Sequence, residues 1–172
     1  HVMTEELVTL VDQTGHPHGQ CEKLAAHREG LLHSAISVFL FDKAGRMLLQ
    51  RRAAHKYHCG GQWANTCCGH PRPGEAPLTA ANRRLWEELG IKASISQIGR
   101  FTYSAPVGGE LTENEYVHLF AGTFEGDMNL NKDEVSEVAF IRPDRVRSDS
   151  RTADKLTPWF ELYLDEALPR VS

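Results

Sequence analysis

Residues 69 to 91 read GHPRPGEAPLTAANRRLWEELGI, and they hold the best-defined helix of the 172-residue chain. From Ala76 to Leu89 the apolar residues Leu78, Ala81, Leu85 and Leu89 recur at the spacing that lines one face of a helix. Gly90 follows at the position where a left-handed residue closes a helix with least steric strain. The same stretch concentrates charge in Glu75, Arg83, Arg84, Glu87 and Glu88. Arg84 and Glu88 stand one turn apart on a flank of the apolar stripe. They read either as a surface ion pair worth a few tenths of a kcal/mol, or as a guanidinium and a carboxylate set to share a magnesium-diphosphate complex.

Outward from this helix the pattern changes to strands. Ala35-Ile36-Ser37-Val38-Phe39-Leu40-Phe41 is apolar on both alternating faces, as a central strand is, and Asp42-Lys43-Ala44-Gly45 turns it into Arg46-Met47-Leu48-Leu49-Gln50. Strand-like runs follow the helix at Ser94 to Ser104, Asn114 to Phe124 and Glu137 to Ile141, separated by acidic or Gly-containing turns. At the front, Leu7 to Asp12 and Gln20 to Leu24 read as a hairpin around Gly15-His16-Pro17-His18-Gly19. At the other end Thr157 N-caps a helix with Pro158 in its first position, and Phe160, Tyr163, Leu164, Ala167 and Leu168 form its apolar stripe.

A chain of this length buries roughly two-thirds of the surface of its unfolded form, so one compact domain over residues 1 to 172 is expected. Met3 reads as a natural start, which leaves His1 and Val2 without functional weight. The formal net charge is −4 and the basic residues are scattered, which argues against a nucleic-acid partner. The opening residues lack the charge and apolar pattern of a leader, and no run of about 18 apolar residues offers a membrane span. A cytoplasmic protein is the expectation. Cys21, Cys59, Cys67 and Cys68 are expected as free thiols; a zinc site joining Cys59, Cys67 or Cys68 to His70 would lack any CxxC pair.

The charges of residues 69 to 91 follow a fixed pattern: Gly69, five residues, Glu75, seven residues, Arg83, then Leu85, Glu87, Glu88, Gly90 and Ile91. This resembles the Nudix box throughout its length, with one departure. Hydrolytic members carry Glu directly after the Arg, and this chain has Arg84, so a carboxylate that holds metal for water attack is replaced by a cation. Just ahead comes Trp63-Ala64-Asn65-Thr66-Cys67-Cys68-Gly69-His70-Pro71, and further upstream Glu22-Lys23-Leu24-Ala25-Ala26-His27 with His33. With Tyr103, Glu113-Asn114-Glu115 and Thr157-Pro158-Trp159, these segments resemble in order and spacing the type I isopentenyl diphosphate isomerases, a Nudix-fold family, over about Thr4 to Leu168.

The resemblance implies an α/β fold with a mixed sheet between helices. It implies that His27, His33, His70, Glu113 and Glu115 bind one divalent metal, Mn²⁺ or Mg²⁺. Residue chemistry is compatible, because Glu113 and Glu115 lie two apart in a strand-like segment and project from one face. A mixed nitrogen and oxygen donor set also suits Zn²⁺. The family's Cys-Gly-His-Pro register selects Cys68 over Cys67 as the catalytic thiol, whereas residue chemistry alone does not separate the two.

The implied reaction interconverts isopentenyl and dimethylallyl diphosphate by adding a proton on one face and removing one from the other, with Cys68 and Glu115 as the two groups. Tyr103 would hydrogen-bond to Glu115 and relay its proton. Trp159 either packs in the core or faces the developing cation, an interaction worth about 2 kcal/mol when desolvated. The diphosphate would be held by Lys23, Arg52, Lys56 and Arg84 and by a second Mg²⁺ on Glu88. Two other readings use the same residues: a Nudix hydrolase acting on a nucleoside diphosphate derivative, and a metal- or diphosphate-binding module without activity.

Overall fold

The computed structural model describes residues 6–56 and 58–168; Met3 and the two residues before it lie outside them. Strands β1 (Leu7–Val11) and β2 (Pro17–Glu22) form the front hairpin and helix α1 (Lys23–Glu29) follows directly. Then come β3 (His33–Phe41), β4 (Met47–Arg52), the short β5 (Trp63–Ala64) and β6 (Cys67–Gly69), and α2 (Pro77–Leu89). After the helix run β7 (Ser96–Pro106), β8 (Thr112–Thr123) and β9 (Val135–Ile141), and α3 (Pro158–Leu162) continues into a π-helical turn over Tyr163–Ala167. The strands join in one mixed sheet in which β3 pairs parallel with β8 and antiparallel with β1, β4 and β6.

The two-sided apolar pattern of β3 has a direct structural cause. Ile36, Val38 and Leu40 pack toward Ala80, Ala81, Leu85 and Leu89 of α2. Ala35 and Phe39, on the opposite face, pack with Trp159, Phe160 and Tyr163 from the C-terminal helix. Both faces of the strand are therefore covered, and period-two alternation sends its side chains into two cores. Leu85 is fully buried between α2 and the sheet, so Leu85→Ala would cost about 2–5 kcal/mol.

Two expectations need correction. The segment Gln20 to Leu24 is not all strand: β2 begins at Pro17 and ends at Glu22, and Lys23 opens α1. The reason is the turn ahead of it, where Asp12 Oδ1 accepts hydrogen bonds from the backbone N–H groups of Thr14 and His16. That tight Asx-type turn is complete by His16 and releases Pro17 into the strand. On α2 the apolar stripe does not include Leu78, which is 46% exposed; Ala80 takes its place in the core. Gly90 closes the helix in the left-handed region at φ 64°, and a Cβ there would meet Asn129 at 2.8 Å.

Candidate active site

Sheet register assembles the centre of the site. Glu115 on β8 lies opposite His33 on β3 and opposite Tyr103 on β7, so three polar side chains share one rung. Glu113, two residues earlier, projects from the same face of β8. Both carboxylates are about 5% exposed, too deep to be solvated surface charges. Tyr103 brings its hydroxyl within 2.5 Å of Glu113 Oε1 and 2.9 Å of Glu115 Oε1, so its single proton lies between two carboxylates. Burial and the two flanking negative charges push the Tyr103 hydroxyl well above its ordinary range and keep it protonated.

The imidazoles are aimed from behind. His27 Nδ1 lies 2.8 Å from the Lys23 carbonyl and His33 Nδ1 lies 2.8 Å from the Leu31 carbonyl. A carbonyl only accepts, so each Nδ1 carries the proton and donates, which leaves each Nε2 pointing inward, with a lone pair there whenever the ring is neutral. His33 Nε2 faces Glu115 Oε2 at 3.2 Å, and His70 Nε2 faces the same oxygen at 2.9 Å. A lone pair against a carboxylate oxygen is repulsive unless a proton or a metal cation lies between them.

Protonating every ring would crowd imidazolium charges, since the His27–His33 and His33–His70 ring centres are each 5.1 Å apart. One divalent cation would meet these donors at once, and the nitrogen and oxygen donor set fits such an ion. The candidate ligand atoms of His27, His33, His70 and Glu115 all lie within 4.8 Å of one another. Burial pulls the His70 imidazole down, and at His33 the adjoining Glu115 outweighs burial and raises it. Glu115 itself is held well below the usual carboxylate range, because hydrogen bonds from His33 and His70 overcome its burial.

Glu113 belongs to an adjoining group. Its ligand atom clusters with those of His27 and His58, and His58 Nε2 lies 3.2 Å from Glu113 Oε2. His58 is the residue that sequence reasoning missed. It sits in the loop between β4 and β5, where no periodicity marks it, and its one signal is its place two residues after Lys56. No cysteine joins a metal-capable group among the described residues, which leaves the Cys–His zinc reading without a cluster, and all four thiols are free.

The two adjacent cysteines diverge because β6 alternates. Cys67 is fully buried in the core under α2 and donates its S–H to Glu88 Oε1 at 3.3 Å. Cys68 turns to the other face, pairs with Ser37 across the sheet and lines the pocket. Burial pushes its thiol up to about 12, so it carries its proton at neutral pH.

The same pocket is lined by Lys23, Arg52, Lys56 and Arg84, and by Glu88, Tyr103, Glu113, Glu115, His70 and Trp159. Each cation already has a partner: Lys23 meets Glu6 at 2.8 Å, Lys56 meets Glu134 at 3.0 Å, and Arg52 reaches the His58 carbonyl at 3.2 Å. Arg84 binds Glu88 at 2.6 Å, Glu134 at 2.8 Å and Glu87 at 2.8 Å. Arg84 and Glu88 are therefore not the simple surface pair that their spacing allowed, since the Glu88 side chain is only 8% exposed and Gln50 donates to it at 2.9 Å. Gly69 makes room for this arginine, because a Cβ at that position would lie 2.7 Å from Arg84 Cγ.

The remaining charges of residues 69 to 91 brace the loop. Glu75 takes both a 2.9 Å bond from Arg83 Nε and another from Arg83 Nη2, while Arg83 Nη2 also reaches the His70 carbonyl at 3.2 Å. Trp159 is 2% exposed, so it packs in the core and also lines the pocket; Arg52 lies over its ring at 5.2 Å.

The NUDIX domain family model matches residues 31–160. The isopentenyl-diphosphate Delta-isomerase of Streptomyces coelicolor is 46% identical over 169 residues, covering 96% of this chain and 85% of that protein. The protein of the same name from Burkholderia multivorans is 44% identical and is covered over 93% of its length. Among solved structures, a Deinococcus radiodurans protein superposes with a TM-score of 0.76 at 16% identity over 96% of this chain and 99% of that one. A MutT protein of Methanosarcina mazei reaches 0.65 at 19% identity over 81% of this chain and 94% of that one, and both likenesses concern the fold alone. With a Nudix fold and more than 40% identity along nearly its whole length to these enzymes, the chain belongs to the isopentenyl-diphosphate Delta-isomerases of the NUDIX domain family.

Proposed function

We propose that this protein interconverts isopentenyl diphosphate and dimethylallyl diphosphate by moving a proton on and a proton off a five-carbon chain. The observation that carries the reading is one pocket lined at once by a protonated thiol, a tyrosine and carboxylate pair and four cations. An isolated double bond is a weak base, so its protonation needs a strong acid held close to it and shielded from water. A proton added to the terminal CH₂ leaves a tertiary cation, and loss of a proton from the CH₂ beside the diphosphate-bearing carbon completes the shift. Cys68 and Glu115 serve as the two proton-transfer groups, each in either direction, and Tyr103 hands a proton to and from Glu115. The ring of Trp159 faces the developing cation and stabilises it by about 2 kcal/mol.

His27, His33, His70 and Glu115, joined by Glu113 from the adjoining group that shares His27, would hold a divalent metal, Mn²⁺, Mg²⁺ or Zn²⁺, which when bound would supply positive charge that eases proton release from Glu115. Lys23, Arg52, Lys56 and Arg84 bind the diphosphate together with Mg²⁺ on Glu88. The cytoplasm is the proposed compartment, and neither a nucleic acid nor a membrane is a proposed partner. Among the described residues no helix is long and apolar enough to cross a membrane.

The rival hydrolase reading uses the same diphosphate end. Incubation with isopentenyl diphosphate and Mg²⁺, followed by phosphorus and proton spectra, separates the two. Dimethylallyl diphosphate with its diphosphate intact is the expected product; released phosphate without a shifted double bond would sink the isomerase reading.

A further inference from the structure

Cys68 bonds to two buried side chains, and through one of them to a third, none of which lines the pocket. Asn65 Nδ2 donates to the carbonyls of Val38 at 3.0 Å and Cys67 at 3.3 Å, which turns the amide oxygen toward Cys68. Asn65 Oδ1 then accepts the Cys68 S–H at 3.3 Å. With its only proton so used, the sulfur faces Ser37 Oγ at 3.2 Å as an acceptor, and Ser37 donates to it. Ser37 in turn has no second proton, so Tyr163 Oη, 2.7 Å away, donates to Ser37 Oγ. Every bond in the file runs in one direction, from Tyr163 through Ser37 and Cys68 to Asn65.

The file is rigid as well as polarised. Asn65, Ser37 and Tyr163 are each no more than 1% exposed. Ser37 is register partner to Cys68 across β3 and β6. Tyr163 is wedged edge-on against Phe39, Phe101 and Tyr103, with ring centres 5.5, 5.7 and 6.0 Å away. A buried hydroxyl in this setting could equally have been an apolar residue, and a serine facing the α3 core is otherwise costly.

We infer that Ser37, Asn65 and Tyr163 are positioning residues that fix the sulfur of Cys68 and the direction of its S–H bond, with Tyr163 acting only through Ser37. The inference rests on Cys68 as a proton-transfer group. Because none of the three lines the pocket, they should affect turnover and leave diphosphate binding alone.

The test is steady-state turnover of isopentenyl diphosphate by wild type, Ser37→Ala, Tyr163→Phe and the double variant, with Cys68→Ala as the inactive reference. Expected are a fall in kcat of about tenfold for Ser37→Ala and about threefold for Tyr163→Phe, with KM within about twofold of wild type. The double variant should be no worse than Ser37→Ala, because removing Ser37 already disconnects Tyr163. Multiplying losses in the double variant, a loss confined to KM, or wild-type kcat in Ser37→Ala would each overturn the inference while an active wild type leaves the isomerase reading standing. A wild type that does not isomerise overturns both.

Discussion

At the His/Glu end of the pocket, side chains are fixed by backbone: the Lys23 and Leu31 carbonyls aim His27 and His33, and strand register sets Glu115 against His33 and Tyr103. At the cation end, Lys23, Lys56 and Arg84 are held by carboxylates on Glu6, Glu134, Glu87 and Glu88. The first end is organised before any ligand arrives. On the proposed reading the second exchanges partners, because a diphosphate bound there would replace carboxylate contacts on the same guanidinium and ammonium groups. Changes at the first end should therefore act on kcat, and changes at the second on KM and anion affinity.

The largest effect should follow Glu115→Gln, which removes a charge from the metal-capable cluster and a proposed proton-transfer group together. Turnover should fall at least about 1,000-fold, measured by dimethylallyl diphosphate formation at saturating substrate. A loss of less than tenfold would deny the His/Glu end its part in the chemistry. Arg84→Ala comes next: KM should rise about 10- to 100-fold with kcat changed far less, and equal losses in both would break the division.

Glu134→Gln sharpens the comparison from the opposite direction. Removing the carboxylate that competes for Lys56 and Arg84 should make inorganic pyrophosphate about threefold more potent as an inhibitor. Weaker inhibition would mean that Glu134 orients the cations rather than occupying them.

The smallest effect concerns Glu6. Its burial favours the neutral acid, but the Lys23 charge and hydrogen bond prevail and hold the carboxyl at about 2, against 4.5 ordinarily. A depressed carboxylate contributes stability above its unfolded pKa and loses it as pH falls through the folded value. The urea midpoint of wild type should thus exceed that of Glu6→Gln at pH 7, and the gap should close between about pH 4.5 and 2. The pair is partly exposed to water, with the Lys23 side chain at 24% and that of Glu6 at 45%, so the gap is worth less than about 1 kcal/mol.

Much of this architecture was legible in the sequence because burial imposes a period. The helix over Pro77–Leu89 and strand β3 announce themselves by apolar spacing, and the box from Gly69 to Ile91 sits where the pattern puts it. Helix α1 escaped because seven residues give too little periodicity to outweigh a strand-like neighbour. His58 lies in an irregular loop, and its place two residues after Lys56 is too weak a signal to distinguish it from a solvated histidine. The contribution of Ser37 arises from cross-strand register, which sets it against Cys68, 31 residues away, and that of Asn65 from a bond to the Val38 carbonyl that aims its amide oxygen; neither is visible in a linear reading. Cys67 and Cys68 are chemically identical in sequence, and only the alternation of β6 sends one to Glu88 and the other to the pocket.

The division of labour is tested most directly by incubating wild type, Cys68→Ala and Arg84→Ala with saturating isopentenyl diphosphate and Mg²⁺ in D₂O and following the proton spectrum. Wild type and Arg84→Ala should both yield deuterated dimethylallyl diphosphate, whereas Cys68→Ala should yield none. Deuterated product from Cys68→Ala at the wild-type rate, or none from wild type with Mn²⁺ also supplied, would contradict it.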